Sequence, residues 1–181
     1  MGIIILIIVV VIIVGWYTST RNGLIALEER LKNTKSQIAV QINSRWDALS
    51  NLIGATKQYS KHESETLEKI VAGRNQVGKN STVEELQQEE VKYQNAMSRL
   101  LAVVEAYPDL KAANLYQETM KSVQKYEDNV RYARMAFNDM VTKFNTKIKS
   151  FPTSLVSNSM KLMPEEYFEQ EEGKQEMPIW E

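Results

Sequence analysis

The first twenty residues of the chain carry no charged side chain, and residues 3–14 are an unbroken run of Ile, Val and Leu. A helix of about 20 residues is roughly 30 Å long, which matches the hydrocarbon core of a bilayer. β-branched residues ordinarily favour strands, but in lipid the backbone must satisfy its own hydrogen bonds, so a helix forms. Trp16 and Tyr17 follow where an interfacial aromatic belt is expected, and Arg21 ends the apolar segment. Residues 1–20 are therefore predicted to be a transmembrane anchor.

Two alternatives to a retained anchor stay open: a cleaved signal peptide and a buried helix of a soluble protein. A signal peptide has a basic n-region and a small-x-small cleavage site. Here Met1 and Gly2 lead directly into the apolar run, and residues 15–17 (GWY) make a poor cleavage site. Gly2 does not begin a myristoylation signal, because position 6 is Leu where Ser or Thr is required. A retained helix is the favoured interpretation.

The basic residues that flank the anchor predict its orientation. Only the amino terminus precedes the span, whereas Arg21, Arg30, Lys32 and Lys35 follow it closely. The positive-inside rule places the basic side in the cytoplasm. We therefore expect a single-pass protein of the cell membrane with its amino terminus outside and the rest of the chain in the cytoplasm.

The charge distribution divides the remaining residues into a domain and a tail. The chain has 22 Lys and Arg against 23 Asp and Glu, but seven of the acids and only one lysine lie in residues 164–181. We predict a helical bundle domain over residues 21–163, which is long enough for a single core, and an acidic carboxy-terminal tail over residues 164–181 that is either flexible or loosely docked.

The apolar pattern of the domain is helical throughout. Leu24, Leu31, Ile38, Leu52 and Tyr59 recur at multiples of seven and predict a first helix over residues 22–59. This helix is either continuous with the anchor or broken at its weakest points, Gly15 and Gly23. A second helix is predicted over residues 63–77, followed by a break at residues 78–80 (GKN).

Two further helices complete the predicted fold. Ser81 or Thr82 is expected to cap the third helix, with Glu84 or Glu85 three residues on, and Pro108 to end it. Its predicted apolar positions are Val83, Leu86, Val91, Met97, Leu100, Leu101 and Val104. The fourth helix has a strict seven-residue stripe and is closed by Pro152; the stripe is Tyr116, Val123, Val130, Phe137, Phe144 and Phe151. The fold class is all-α: an antiparallel four-helix bundle with two long and two shorter helices, preceded by an N-terminal transmembrane helix.

With these residues in view, the chain resembles the LemA family of bacterial membrane-anchored helical proteins over nearly its whole length. The most distinctive matching segment is residues 107–112 (YPDLKA), and residues 45–53 (RWDALSNLI) match in the first helix. Further matching positions are Gln37, Val40, Gln41, Tyr59, His62, Glu63, Arg74, Glu127, Ala133, Arg134, Phe137, Asn138, Val141, Phe144, Asn145, Phe151, Pro152, Tyr167, Phe168 and Glu169. The departures are Ser50 where the family usually has Pro and Gly73 where it usually has Ala. The resemblance implies a cytoplasmic or membrane-apposed helical bundle without a settled activity.

The composition argues against the common catalytic and cofactor sites. The chain has no Cys and a single His, so neither a Cys–His pair nor a site with two zinc-ligating His residues is possible. His62 and Glu63 are not followed by a second His at position 66, which is Thr. There is no Gly-rich phosphate loop or nucleophile elbow, and the dispersed basic residues do not suit nucleic acid. We predict no enzyme activity, no cofactor, no metal and no nucleic-acid partner.

A set of polar residues near the apolar stripes remains to be explained. Arg45 lies on the stripe of the first helix, and a charge there requires an acid, for which Glu127 is the preferred partner. Arg134, Asn138 and Asn145 lie beside the stripe of the fourth helix. These five residues are either buried polar pairs that fix helix register or contacts for a partner. The lysines near the end of the fourth helix are either solvated charges or lipid contacts; they are Lys143, Lys147 and Lys149.

Three functions are compatible with this sequence. The first is a membrane-tethered interaction protein, an adaptor or regulator of other membrane or envelope proteins. The second is a structural protein of the membrane surface that self-associates as a coiled coil, which would make it a homo-oligomer. The third is an enzyme with an unrecognised site.

Overall fold

The computed structural model describes residues 1–56 and 71–168, and within these ranges every regular element is a helix. In chain order the helices are α1 (Gly2–Thr56), α2 (Val83–Ala106), α3 (Pro108–Ala112), α4 (Asn114–Lys149) and α5 (Thr153–Ser159). The all-helical prediction is therefore confirmed for the described residues. Most of the second predicted helix lies outside them. Its predicted end at Val77 is wrong, because the chain turns at Gly73 and has no helical structure over residues 74–77.

The first helix is one continuous element of 55 residues, roughly 80 Å long. It passes through Gly15 and Gly23 without a break, so neither glycine interrupts it. All the side chains of residues 3–14 are exposed, and within the described ranges this is the segment long and apolar enough to cross a membrane. From Leu24 onward one face of α1 is buried. The same helix thus supplies both the candidate anchor and a wall of the core.

Helix α2, which is the third helix of the sequence prediction, begins and ends where the sequence predicts. The Thr82 side chain accepts a hydrogen bond from the Glu85 backbone N–H, and the Glu85 carboxylate accepts one from the Thr82 N–H, which completes a capping box. The helix ends at Ala106, one residue before Tyr107 and Pro108. The prediction that Val91 faces the core is wrong, because Val91 is 63% exposed. The buried stripe passes one residue earlier, through Glu90.

The fourth helix buries its seven-residue stripe as predicted from Tyr116 to Phe144, but Phe151 departs from it. The helix ends at Lys149, and Ser150 has an extended backbone with φ −75° and ψ 134°. Phe151 therefore no longer points along the stripe, and it is 82% exposed. A short helix that the pattern did not predict, α5, follows and buries Val156 and Ser157.

The core lies mainly between α1 and α4. Near the apolar segment, Gly23 and Leu27 of α1 line one groove with Thr146 of α4. Further along, Arg45 contacts Glu127. Residue numbers therefore rise along α1 while they fall along α4. The end of α5 returns to the apolar segment, where the hydroxyls of Tyr17 and Ser159 are 2.9 Å apart.

Candidate functional site

Arg45 occupies the centre of the buried face of α1, and its side chain is fully buried. Its Nη2 lies 2.6 Å from Oε2 of Glu90, and its Nη1 lies 3.0 Å from Oε1 of the same carboxylate. The Nη1 atom also donates to Oε2 of Glu127 at 3.0 Å. A guanidinium matches a carboxylate in this two-point geometry, which makes such pairs both strong and directional.

Glu90 is the acceptor on which the cluster converges. Besides Arg45, it accepts hydrogen bonds from Arg134 of α4 and from Nε2 of Gln94, the latter at 3.2 Å. Its side chain is 7% exposed. Arg45 of α1, Glu90 of α2, and Glu127 and Arg134 of α4 thus form one four-charge cluster that joins three helices. We call these four residues the ion cluster, and their formal charges cancel.

The environment of the ion cluster keeps Arg45 and Glu90 charged. Burial raises the pKa of Glu90, but the hydrogen bond from Arg45 and the charges of Arg45 and Arg134 outweigh it, so the pKa of Glu90 lies below its ordinary value. Burial opposes the charge of Arg45 in the same way, and the hydrogen bond and charge of Glu90 outweigh it, so the pKa of Arg45 is raised. Both groups are ionised at neutral pH.

An aromatic pair adjoins the ion cluster: the Tyr93 ring packs on Arg45, and Trp46 packs on Tyr93. The Arg45 guanidinium carbon lies 3.8 Å from the centre of the Tyr93 ring, within the range of a cation–π interaction. The rings of Trp46 and Tyr93 meet edge to face, with centroids 5.4 Å apart and an interplanar angle of 87°. Burial raises the pKa of the Tyr93 hydroxyl, so this residue is neutral. Glu127 is 41% exposed, and the cluster reaches solvent there.

The structure brings together three of the five polar residues that the sequence singled out: Arg45, Glu127 and Arg134. It adds Glu90, which the sequence reasoning missed. A signal for Glu90 was available, because the α2 positions 83, 86, 90, 93, 97, 100 and 104 follow one another at steps of three and four. Glu90 interrupts this apolar stripe just as Arg45 interrupts that of α1.

The other two, Asn138 and Asn145, bind the segment that follows α5. The Asn145 side chain donates to the Glu165 carbonyl and accepts from the Glu165 N–H, both at 2.9 Å. Asn138 forms the same pair of bonds with Phe168, at 2.9 and 2.8 Å. Residues 164–168, which sequence analysis assigned to a flexible or loosely docked tail, therefore lie against α4, and Phe168 is buried. The rest of the predicted tail, residues 169–181, lies outside the described residues.

The three lysines proposed as lipid contacts are all exposed on the last two turns of α4 and the turn before them. Lys143 and Lys147 line the groove that also contains Gly23 and Leu27. Lys149 is exposed outside that groove. The structure thus separates two of the lysines from the third. Contact with lipid stays a prediction for all of them.

Comparison with known proteins gives a family match that spans most of the chain. The sequence model of the LemA family matches residues 34–179. The chain belongs to the LemA family. A relative within the family, Protein LemA of Metamycoplasma hominis, is 29% identical over 148 residues, which cover 81% of this chain and 67% of the relative.

Two further relatives of this LemA-family chain are magnetosome proteins. Magnetosome protein MamQ 2 of Paramagnetospirillum magneticum is 32% identical over 85 residues, or 47% of this chain and 31% of that protein. Magnetosome protein MamQ of Magnetospirillum gryphiswaldense is 32% identical over 74 residues, or 41% of this chain and 27% of that protein. The chain therefore matches about a third or less of each magnetosome protein. Together with the apolar helix α1, membership of the LemA family indicates a membrane-associated protein.

The chemistry available in the described residues of this LemA-family chain is that of charge pairing and hydrogen bonding. Residues 1–56 and 71–168 contain no group of three or more His, Asp or Glu side chains placed to hold a metal ion. His62 and Glu63, which sequence analysis weighed as half of a zinc motif, lie outside the described residues. The two acids of the ion cluster pair with Arg45 and Arg134, and these ion pairs join α1, α2 and α4.

Proposed function

We propose that this LemA-family protein is a membrane-tethered, non-enzymatic adaptor or regulator of other membrane or envelope proteins, with an antiparallel four-helix bundle as its interaction domain. One observation carries the proposal: α1 continues without a break from the apolar segment to the ion cluster. Arg45 is 24 residues beyond Arg21, about 36 Å along the helix axis. A partner that binds near or above the ion cluster would be held at a fixed distance from the bilayer.

The ion cluster supports this role because it makes the bundle rigid. Buried ion pairs tolerate little change in geometry, since a displaced partner leaves an uncompensated buried charge. Three helices meet at this cluster, so their relative positions are fixed at mid-height. A rigid bundle presents its surface side chains in one arrangement, which lowers the entropic cost of binding a partner.

The surface that best suits a partner lies beyond the ion cluster. Asp47 and Asn51 of α1 face Glu118, Ser122 and Tyr126 of α4 across a groove of about 460 Å³. We call it the distal groove. It lies about 40 Å along the helix axis from Arg21. Its polar walls suit a polar segment of a partner protein.

Cross-linking in living cells tests the adaptor role. A photoreactive residue at Ser122, which lines the distal groove, is expected to capture specific proteins of other kinds. The same residue at Lys125, exposed on α4 outside that groove, serves as the control and is expected not to capture them. Asn51→Arg, which places a bulky charge in the groove, should remove the Ser122 products. Products that contain only this chain would instead support the self-associating structural protein.

The orientation is proposed from the basic residues that follow the span, with the bundle in the cytoplasm. Because the chain has no Cys, a single cysteine at the exposed position Lys121 gives a unique label site. We expect Lys121→Cys to resist a membrane-impermeant thiol reagent in intact cells and to react after lysis. Labelling in intact cells would place the bundle outside the cytoplasm and would exclude cytoplasmic partners.

A further inference from the structure

An amphipathic groove lies at the end of the bundle nearest the apolar segment. Its walls are Gly23 and Leu27 of α1, Lys143 and Lys147 of α4, and the turn at Phe151 and Pro152. Its volume of about 740 Å³ falls within the range of small-molecule sites, roughly 300 to 1,000 Å³. We call it the membrane-end groove.

The height of this groove matches that of lipid headgroups. Gly23 and Leu27 are two and six residues beyond Arg21, roughly 3 and 9 Å along the helix axis. The headgroup region of a bilayer extends about 5 to 8 Å beyond the hydrocarbon core on each side. The hydrogen bond between Tyr17 and Ser159 places the end of α5 on the membrane side of the groove, since Tyr17 lies six residues, roughly 9 Å, before Gly23. A groove at this height is therefore bathed by lipid headgroups when α1 spans the bilayer.

The chemistry of the groove is complementary to one kind of lipid. Lys143 and Lys147 are four residues apart, so they lie on the same face of α4, and both are exposed. Leu27, Phe151 and Pro152 supply an apolar wall beside them. Two cations beside an apolar wall match an anionic headgroup joined to acyl chains. We propose that the membrane-end groove binds one anionic phospholipid from the bilayer that α1 spans.

Exposed apolar side chains at the same end support a lipid as the occupant. Phe151 is 82% exposed and Leu155, on α5, is 60% exposed. Phe151 belongs to the turn that forms one edge of the groove, and Leu155 follows that turn on α5. Acyl chains beside α1 would cover these side chains, whereas a free phosphate ion would leave them in water. The proposal depends on the anchor but not on the adaptor role.

Native mass spectrometry of the full chain in a non-ionic detergent tests the proposal. The protein is titrated with phosphatidylglycerol, with phosphatidylcholine and with glycerol phosphate, and bound molecules are counted. We expect one phosphatidylglycerol to bind at least tenfold more tightly than phosphatidylcholine. The double variant Lys143→Gln/Lys147→Gln should weaken its binding about ten- to thirtyfold, since each lysine near a membrane surface contributes up to about a fivefold factor in affinity. Lys149→Gln removes a charge outside the groove and should change binding less than threefold.

Two more results complete the test. Phe151→Ser, at an exposed position, should weaken phosphatidylglycerol binding several-fold, and glycerol phosphate should bind poorly to every variant. Equal losses in the double variant and in Lys149→Gln would show general charge attraction and overturn the proposal. Equal binding of the two phospholipids, or of glycerol phosphate and phosphatidylglycerol, would overturn it as well. None of these outcomes affects the cross-linking test of the adaptor role.

Discussion

Arg45→Ala is expected to destabilise the protein by about 3 to 5 kcal/mol, because removal of one partner leaves Glu90 buried with a charge that Arg134 alone must balance. For a domain of this size each kcal/mol lowers the melting temperature by about 2 to 4 °C, which gives a fall of roughly 6 to 20 °C. The measurement is the thermal loss of helical circular dichroism of the full chain in a mild detergent.

Arg131→Ala is the matched control on α4. Arg131 pairs with Asp128 at 3.0 Å, but both side chains are more than half exposed, and an exposed pair contributes about 0 to 1 kcal/mol. Glu127→Gln should also have a small effect, because Glu127 is 41% exposed and solvent screens its charge. An Arg45→Ala melt within about 0.5 kcal/mol of the parent would contradict the buried cluster.

Acid provides a second readout of the same cluster. Glu90 has a pKa below its ordinary value of 4.5 in the folded state, so its ionised form stabilises the fold. This stabilising contribution is fully present above the ordinary pKa of 4.5 and is lost as the pH falls through the lowered pKa of the folded state. Stability should therefore drop as the pH is lowered below about 4.5. Glu90→Gln should be less stable at neutral pH and should lose less on acidification.

The sequence singled out three of the four members of the ion cluster and missed Glu90, the acceptor on which the cluster converges. Arg45 was found because a charge within the strict seven-residue stripe of α1 is conspicuous. Glu90 lies in a stripe that alternates steps of three and four, and Val91 beside it offered a plausible apolar substitute. Sequence patterns identify which face of a helix is buried. They do not decide between Glu90 and Val91 as the buried position, because that one-residue difference depends on how α2 packs against the neighbouring helices.

The ends of the elements likewise differ in whether nearby residues or distant contacts determine them. Thr82 caps the start of α2 and Pro108 ends the helix, and both do so through residues that are close in the sequence. The ends of α2 are therefore predictable from the sequence. The carboxy-terminal segment depends on distant contacts: the backbone of Glu165 and Phe168 is held by Asn145 and Asn138. No local pattern specifies such pairing. The acidic composition of residues 164–181 favoured a flexible tail, while the stabilising contact comes from side chains twenty or more residues earlier.

The apolar segment of α1 accounts for the largest expected effect on location. The side chains of residues 3–14 are exposed, so no other part of the described chain covers them. At about 0.3 to 0.6 kcal/mol for each central Ile, Leu or Val, twelve such residues favour insertion by about 4 to 7 kcal/mol. This corresponds to a partition ratio of roughly a thousandfold to a hundred-thousandfold in favour of the membrane.

A chain that begins at Arg21 is therefore expected to move from the membrane fraction to the soluble fraction, whereas the full chain should resist carbonate extraction. The truncation should leave the fold intact, because the buried face of α1 begins at Leu24 and the ion cluster lies about 36 Å beyond Arg21 along the helix axis. Release of the full chain by carbonate would contradict the anchor.

The truncated chain keeps the membrane-end groove, so weak binding to anionic vesicles should remain, and high salt should abolish it by screening. Strong, salt-resistant binding of the truncated chain would mean that a part of the protein other than residues 1–20 anchors it to the membrane.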